Sequence, residues 1–140
     1  MHFPSIFFGA VLAVVAIGCG GPRSNAVDLV QDIGVSEIRA DLQTLVASPA
    51  GRQHEIPPTA WPESIRRLQP VSVHLHMTGV LMVFSRTERE QHGLLFMLNS
   101  ADDPGAGGSG VVYENLGDGL FWCTEKLRSA YLPPGQRRNR

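Results

Sequence analysis

The histidine pair His74 and His76 is the pattern in this sequence best suited to chemistry. The two residues stand in the segment 71–77, where apolar and polar side chains alternate strictly. Such alternation predicts a β-strand, and residues i and i+2 of a strand project from the same face. Both imidazoles could therefore reach one metal ion, which predicts a metal-dependent binder or hydrolase.

A metal site needs at least a third ligand, and sequence spacing places none. The candidates are His54, His92, Glu114 and Glu125. The alternative interpretation is that both histidines lie on the solvated face of a strand with an apolar opposite face. That opposite face would carry Val71, Val73, Leu75 and Met77. The residues alone therefore predict no bound cofactor.

The glycine-rich segment before residue 111 matches a ligand-binding motif only by its letters. Gly105, Gly107 and Gly110 have the dinucleotide-binding spacing, but that motif needs a helix directly after it to face the pyrophosphate. A strand-like Val-Val-Tyr-Glu run follows instead. Asp102 and Asp103 precede the glycines but lack the spaced oxygen ligands of a calcium loop. We interpret the segment as a turn.

Nucleophilic catalysis has no clear sequence support. Ser109 lies in Gly-Gly-Ser-Gly-Val, which lacks the last glycine of a Gly-x-Ser-x-Gly elbow. Cys123 has no activating base near it in the sequence, so we interpret it as a small buried residue. Trp61 is either a packing anchor or an aromatic surface on which a ligand stacks. These residues favour a non-catalytic binding or interaction domain.

Three short helices are predicted before residue 71. The first follows an Asn25 cap and stops at Gly34, and the second follows a Ser36 cap and stops at Pro49. The third starts near Pro62. Apolar residues recur on one side of each helix, which is typical of faces packed in a core. They are Val27, Val30, Ile33, Ile38, Leu42, Leu45, Val46, Trp61, Ile65 and Leu68.

Five strands are predicted after residue 70, and the charged residues 85–92 are predicted to form a solvated loop. The turns between strands are short, which requires antiparallel pairing, because parallel neighbours need crossovers of about a dozen residues. The fold class is therefore α+β, with a curved antiparallel sheet of about five short strands and two or three N-terminal helices on one face. The predicted strands are residues 71–77, 80–84, 94–98, 111–114 and 120–126.

The charge balance limits the partners of the protein. Twelve Lys and Arg residues stand against thirteen Asp and Glu, a formal net charge of −1. Such a chain has no overall field for nucleic acid, and we expect none as a partner. The segment 132–140 is rich in Pro, Gly and Arg, and is predicted to be a disordered basic tail.

The first residues indicate where the protein works. Residues 6–18 carry no charged side chain and end at Cys19; a bilayer-spanning helix needs about 20 apolar residues, so this run fits an export signal better. Ala16-Ile17-Gly18-Cys19 resembles the lipobox of bacterial lipoproteins. The resemblance implies a signal peptide at 1–18, acylation of Cys19 and anchoring in the cell membrane or outer membrane. Simple secretion and a retained membrane helix are the alternatives.

The remaining chain is expected to be a tether at 19–24 and one domain at 25–131. Residues 61–70 read Trp-Pro-x-Ser-Ile-Arg-x-Leu-x-Pro and lead into a β-rich stretch, which resembles small exported bacterial proteins without an assigned function. We predict a lipid-anchored envelope protein that presents a small non-catalytic domain to another protein or to an envelope polymer. The alternative is a metal-dependent protein that uses His74 and His76.

Overall fold

The structure, a computed structural model, describes residues 21–76 and 78–127. The predicted α+β fold is confirmed, because three α-helices precede a five-stranded antiparallel sheet that does not close. The predicted signal peptide 1–18, Cys19 and the basic tail 132–140 lie outside the described residues. The helices are α1 Pro22–Ile33, α2 Val35–Ala47 and α3 Glu63–Leu68, with 3₁₀ turns at Pro49–Arg52 and Pro58–Ala60.

The sheet has the strand order β1-β2-β3-β5-β4, and all its neighbours are antiparallel. The chain passes from β3 to the far edge before it returns, so β5 lies between β3 and β4. Asp118 and Gly119 turn the chain with φ of 54° and 70°, and Asp-Gly is the pair that tight hairpins favour. The strands are β1 Ser72–His76, β2 Gly79–Arg86, β3 Glu90–Met97, β4 Val111–Gly117 and β5 Leu120–Lys126.

Helix α1 begins before its predicted Asn25 cap. Pro22 is its first residue, a position where the fixed φ of proline suits the helix and its missing N–H is no loss. The last three residues of the predicted tether are therefore helical. Helix α2 also starts earlier than predicted, at Val35, directly after Gly34.

All three helices pack against the same face of the sheet. Their buried side chains meet the inward side chains of β1, β2, β3 and β5 in one core. Full burial of one large aliphatic side chain contributes about 1.5–3 kcal/mol, so this face supplies most of the apolar stabilisation. The core residues are Ala26, Val30, Ile33, Ile38, Leu42, Leu45, Ile56, Trp61, Ile65, Leu68, Val73, Val80, Met82, Leu94, Phe96, Leu120 and Trp122.

Two polar side chains of α2 hold one end of the sheet. Arg39 Nε donates to the Met97 carbonyl at 3.1 Å, and its guanidinium also reaches the Asp118 carbonyl in the β4–β5 turn. Gln43 Nε2 donates to the Leu98 carbonyl at 2.7 Å. These bonds satisfy backbone carbonyls at the ends of the strands. Among the described residues, no helix packs against the other face of the sheet.

Candidate functional site

The second face of the sheet carries both predicted histidines. Residues paired directly across neighbouring strands project from the same face, and the register pairs His74 with Leu81 and Gln91 with Glu125. The histidines are half-buried and border a second, smaller core, while Val73 and Leu75 of the same strand face the helix-covered core. The buried residues of this core are Leu81, Val83, Leu95, Met97, Phe121 and Cys123.

A contact between the two edge strands shows how strongly this face is curved. His76 lies on β1 and Tyr113 on β4, at opposite edges of the sheet. The Tyr113 hydroxyl is nevertheless 3.2 Å from Nε2 of His76. In a flat sheet, four strand spacings of about 4.8 Å would hold these edges about 19 Å apart. The sheet therefore curls around the second face, which is concave, and the predicted curvature is confirmed.

A cleft of about 340 Å³ opens on the concave face. Leucines form its apolar part, and imidazoles, a guanidinium, an amide and a carboxylate form its polar part. Small-molecule sites usually measure about 300–1,000 Å³ and combine apolar walls with a few polar groups. The cleft fits the lower end of that range. Its lining residues are His54, His74, Leu75, His76, Leu81, Arg86, Gln91, Glu125 and Leu127.

His74 lies beside two polar side chains. Its Nε2 lies 2.9 Å from the Ser72 hydroxyl, and its ring centroid lies 5.9 Å from that of His54. A serine next to a histidine can form a nucleophile and its base when a third group orients the imidazole. Among the hydrogen bonds of the described residues, no carboxylate holds His74, and Ser72 is buried. We therefore interpret the Ser72–His74 hydrogen bond as a structural one.

The stability of the protein is expected to fall as the pH drops below 6.5, with His74 as one cause. Burial is the largest influence and lowers the pKa of His74 from 6.5. The unfolded chain then takes up this proton at a higher pH than the folded chain. The free energy of unfolding therefore decreases from pH 6.5 down to the folded-state pKa, and is unaffected above 6.5. The charged groups that also act on it are Glu55, His54, Arg86 and Glu125.

Urea unfolding at about pH 7.5 and about pH 5.5 measures this effect. The variant His74→Gln keeps a polar partner for Ser72 but removes the titrating group. It should lose less stability between the two pH values than the wild-type protein does. An equal loss in both proteins would show that His74 titrates alike in the folded and unfolded chains.

The metal hypothesis gains no third ligand. The parts of the chain that the structure describes contain no group of three or more His, Cys, Asp or Glu side chains placed to hold a metal ion. Of the predicted third ligands, His54 and Glu125 line the same cleft as His74 and His76. The four side chains are neighbours there without converging on one point, and the metal site stays a prediction.

The other two candidate ligands, His92 and Glu114, lie on the helix-covered face. The His92 ring stacks on Trp122, with centroids 6.3 Å apart, and its Nδ1 lies 3.2 Å from the Thr124 hydroxyl. Glu114 forms an ion pair with Arg23 of α1. Both side chains are thus separated from the cleft by the sheet itself.

Cys123 and Tyr113 are paired across β5 and β4, and both side chains stay protonated at neutral pH. Burial raises the pKa of the Cys123 thiol to about 11, and nearby Glu125 adds to the shift. Burial also raises the pKa of Tyr113. A thiol must be deprotonated to act as a nucleophile. The geometry therefore agrees with our interpretation of Cys123 as a small buried residue.

Trp61 lies on the other side of the sheet from the cleft. Only 8% of its surface is exposed, and it packs within the helix-covered core. Its indole Nε1 donates to the Ile56 carbonyl at 3.0 Å. A ring in this position is a packing anchor for α3, and it offers no face on which a ligand could stack.

The glycine-rich segment is the turn that its sequence indicates. Gly110 leads directly into β4 and not into a helix. The Asp103 carboxylate accepts a hydrogen bond from the Gly105 backbone N–H at 2.7 Å. That carboxylate therefore stabilises the turn itself.

Part of the cleft comes from residues that we predicted to be a solvated loop, 85–92. In the structure β2 continues to Arg86 and β3 begins at Glu90. The prediction was wrong because Thr87 closes a tight turn, where its hydroxyl accepts from the backbone N–H groups of Arg89 and Glu90. A threonine in that place was the available signal, but the charges around it concealed the strand ends.

Comparison with known protein families, with curated proteins and with solved structures finds no match to this chain. The two resemblances seen in the sequence, to lipoproteins and to small exported proteins, therefore stay predictions. None of the helices in residues 21–76 and 78–127 has the length and apolar character needed to cross a bilayer. The concave cleft is thus the feature from which a function can be argued.

Proposed function

We propose that this chain is a lipid-anchored envelope protein whose domain binds a small molecule in the concave cleft. The observation that carries the proposal is the cleft itself, about 340 Å³ in volume, on the sheet face opposite the helices. Anchoring rests on the sequence alone, on the apolar run 6–18 and the lipobox-like residues that end at Cys19. The proposal assigns no reaction to the domain.

The composition of the cleft supports binding over catalysis. All its polar groups except His54 come from four strands of one sheet, and strands hold side chains more precisely than loops do. The nearest thiol, Cys123, is held protonated by burial. Donors and acceptors around an apolar floor are what recognition of a small organic molecule requires.

The anchor predicts a large change in partitioning when Cys19 is replaced. In a bacterial host, the wild-type protein should enter the detergent-rich phase of a Triton X-114 extract, because two or more acyl chains hold a protein stably to lipid. The variant Cys19→Ser should move to the aqueous phase or remain unprocessed. Intact-mass spectrometry should find acyl mass on the wild-type amino terminus only.

The second cysteine provides a matched control for this experiment. Cys123→Ser makes the same replacement of a thiol by a hydroxyl, but at a buried position, and should leave the partitioning unchanged. Mature wild-type protein that begins at Cys19 without acyl mass would overturn the anchor. Equal partitioning of the wild-type protein and a processed Cys19→Ser protein, one that has lost residues 1–18, would overturn it as well.

The binding part of the proposal is tested by unfolding the full chain in detergent with a panel of amino acids, dipeptides, monosaccharides and nucleosides. A true ligand at about 100 times its Kd should raise the free energy of unfolding by about 2.7 kcal/mol. The stabilisation should fall in Arg86→Gln, which alters the cleft, and should persist in Arg89→Gln, which alters the exposed β2–β3 turn. Absence of any saturable effect, or equal effects in both variants, would overturn binding in this cleft.

A further inference from the structure

Two oppositely charged side chains, Arg86 and Glu125, line the cleft. Arg86 and Glu125 are both paired with Gln91, one on each side of it. Two strand spacings therefore separate their backbones, about 10 Å. Neither residue takes part in the ion pairs that the structure finds among the described residues. The cleft thus offers one cation and one anion on the same row of the sheet.

The carboxylate of this pair is held in a fixed position. Gln91 Nε2 donates to Glu125 Oε2 at 2.6 Å, and Glu125 is half-buried. Its second oxygen is available to a donor from a ligand. Arg86 is exposed at the end of β2, and its planar guanidinium is suited to bind a carboxylate through two parallel hydrogen bonds.

The charges exclude some classes of ligand. A simple anion would be attracted by Arg86 but repelled by Glu125, and a simple cation would meet the reverse. A molecule that carries both charges a few ångströms apart satisfies both side chains at once. The apolar floor adds a further condition, because Leu81 and Leu127 line the same space and favour an apolar group.

We propose that the cleft binds a zwitterion with an apolar side chain, a free amino acid or a dipeptide. The ligand carboxylate binds to Arg86, its ammonium binds to Glu125, and its side chain contacts Leu81 and Leu127. The imidazoles of His74 and His76 border the same space and can bond with a peptide amide. This inference rests on the proposed binding function and names the class of its ligand.

Titration calorimetry of the full chain with leucyl-leucine, its N-acetyl form and its C-terminal amide tests the inference. The free dipeptide should bind, and each blocked form should bind about tenfold or more weakly, because each has lost one charged hydrogen bond. The variants assign each charge. Arg86→Gln should remove the preference over the amide, and Glu125→Gln should remove the preference over the N-acetyl form.

Controls keep the outcomes distinct. Glu125→Gln retains an oxygen that can accept from Gln91, and thermal melts of each variant show whether it folds. Arg89→Gln should keep both preferences. Equal affinity for free and blocked dipeptides would overturn the zwitterion while the binding function survives. Saturable binding of another class of compound, such as a sugar, would likewise overturn the zwitterion and leave the binding function standing. Absence of binding by every compound tested would overturn both proposals.

Discussion

Replacement of Trp61 by alanine should lower the free energy of unfolding by about 3–5 kcal/mol, the usual cost of truncating a buried tryptophan. The side chain precedes α3, belongs to the helix-covered core and is almost entirely buried. The cavity left behind cannot collapse easily, since Ile65 and Leu68 of the same helix are themselves fully packed. Urea unfolding of the purified variant measures the change.

A milder substitution separates packing from hydrogen bonding at the same position. Trp61→Phe keeps an aromatic ring but leaves the Ile56 carbonyl without its indole donor, and an unpaired buried acceptor costs about 1–3 kcal/mol. Trp122→Phe is the matched control, because Trp122 is equally buried and has no such bond within the described residues. Trp61→Phe should therefore be the less stable variant. Unchanged stability with lost ligand binding would make Trp61 a ligand contact.

The second large effect is expected at Gly93, where β2 and β3 approach too closely for a side chain. A Cβ added there would lie 2.4 Å from the Met82 carbonyl oxygen and 3.1 Å from Val83 Cα. Both are backbone atoms of the neighbouring strand, so they can move only if the pairing shifts. Overpacking of this kind costs about 1–3 kcal/mol, and Gly93→Ala should fall in or above that range by urea unfolding.

Gly108→Ala is the control for this prediction. Gly108 does not need a positive φ, and a Cβ there would meet nothing within 4 Å. Gly108→Ala should therefore change the free energy of unfolding by less than about 0.5 kcal/mol. Equal effects of the two substitutions would mean that β3 can shift relative to β2. In that case the position of Gln91 in the cleft would not be fixed either.

Much of the fold could be predicted because its signals are local. Ile38, Leu42 and Leu45 recur at the helical period, and all three are buried in α2. The alternation around His74 placed that strand correctly and placed His74 and His76 on one face. Periodicity reports which face of an element is buried, and short turns report antiparallel pairing.

The cleft could not be predicted in full because its geometry is not local. His76 and Tyr113 are separated by 37 positions in the chain and lie on opposite edge strands, so they meet only because the sheet curls. Arg86 stands at a strand end whose charges suggested a loop. Neither the order of the strands nor the curvature of the sheet leaves a periodic signal in the sequence.

The concave cleft and helix α1 lie on opposite faces of the sheet, and α1 is the element that follows the proposed lipid site at Cys19. Its first residue is Pro22, so with a lipid on Cys19 the helical side of the domain would sit against the headgroups. The opening of the cleft would then face the aqueous compartment. Solutes could enter and leave while the protein stays attached, and loading would need no release from the bilayer.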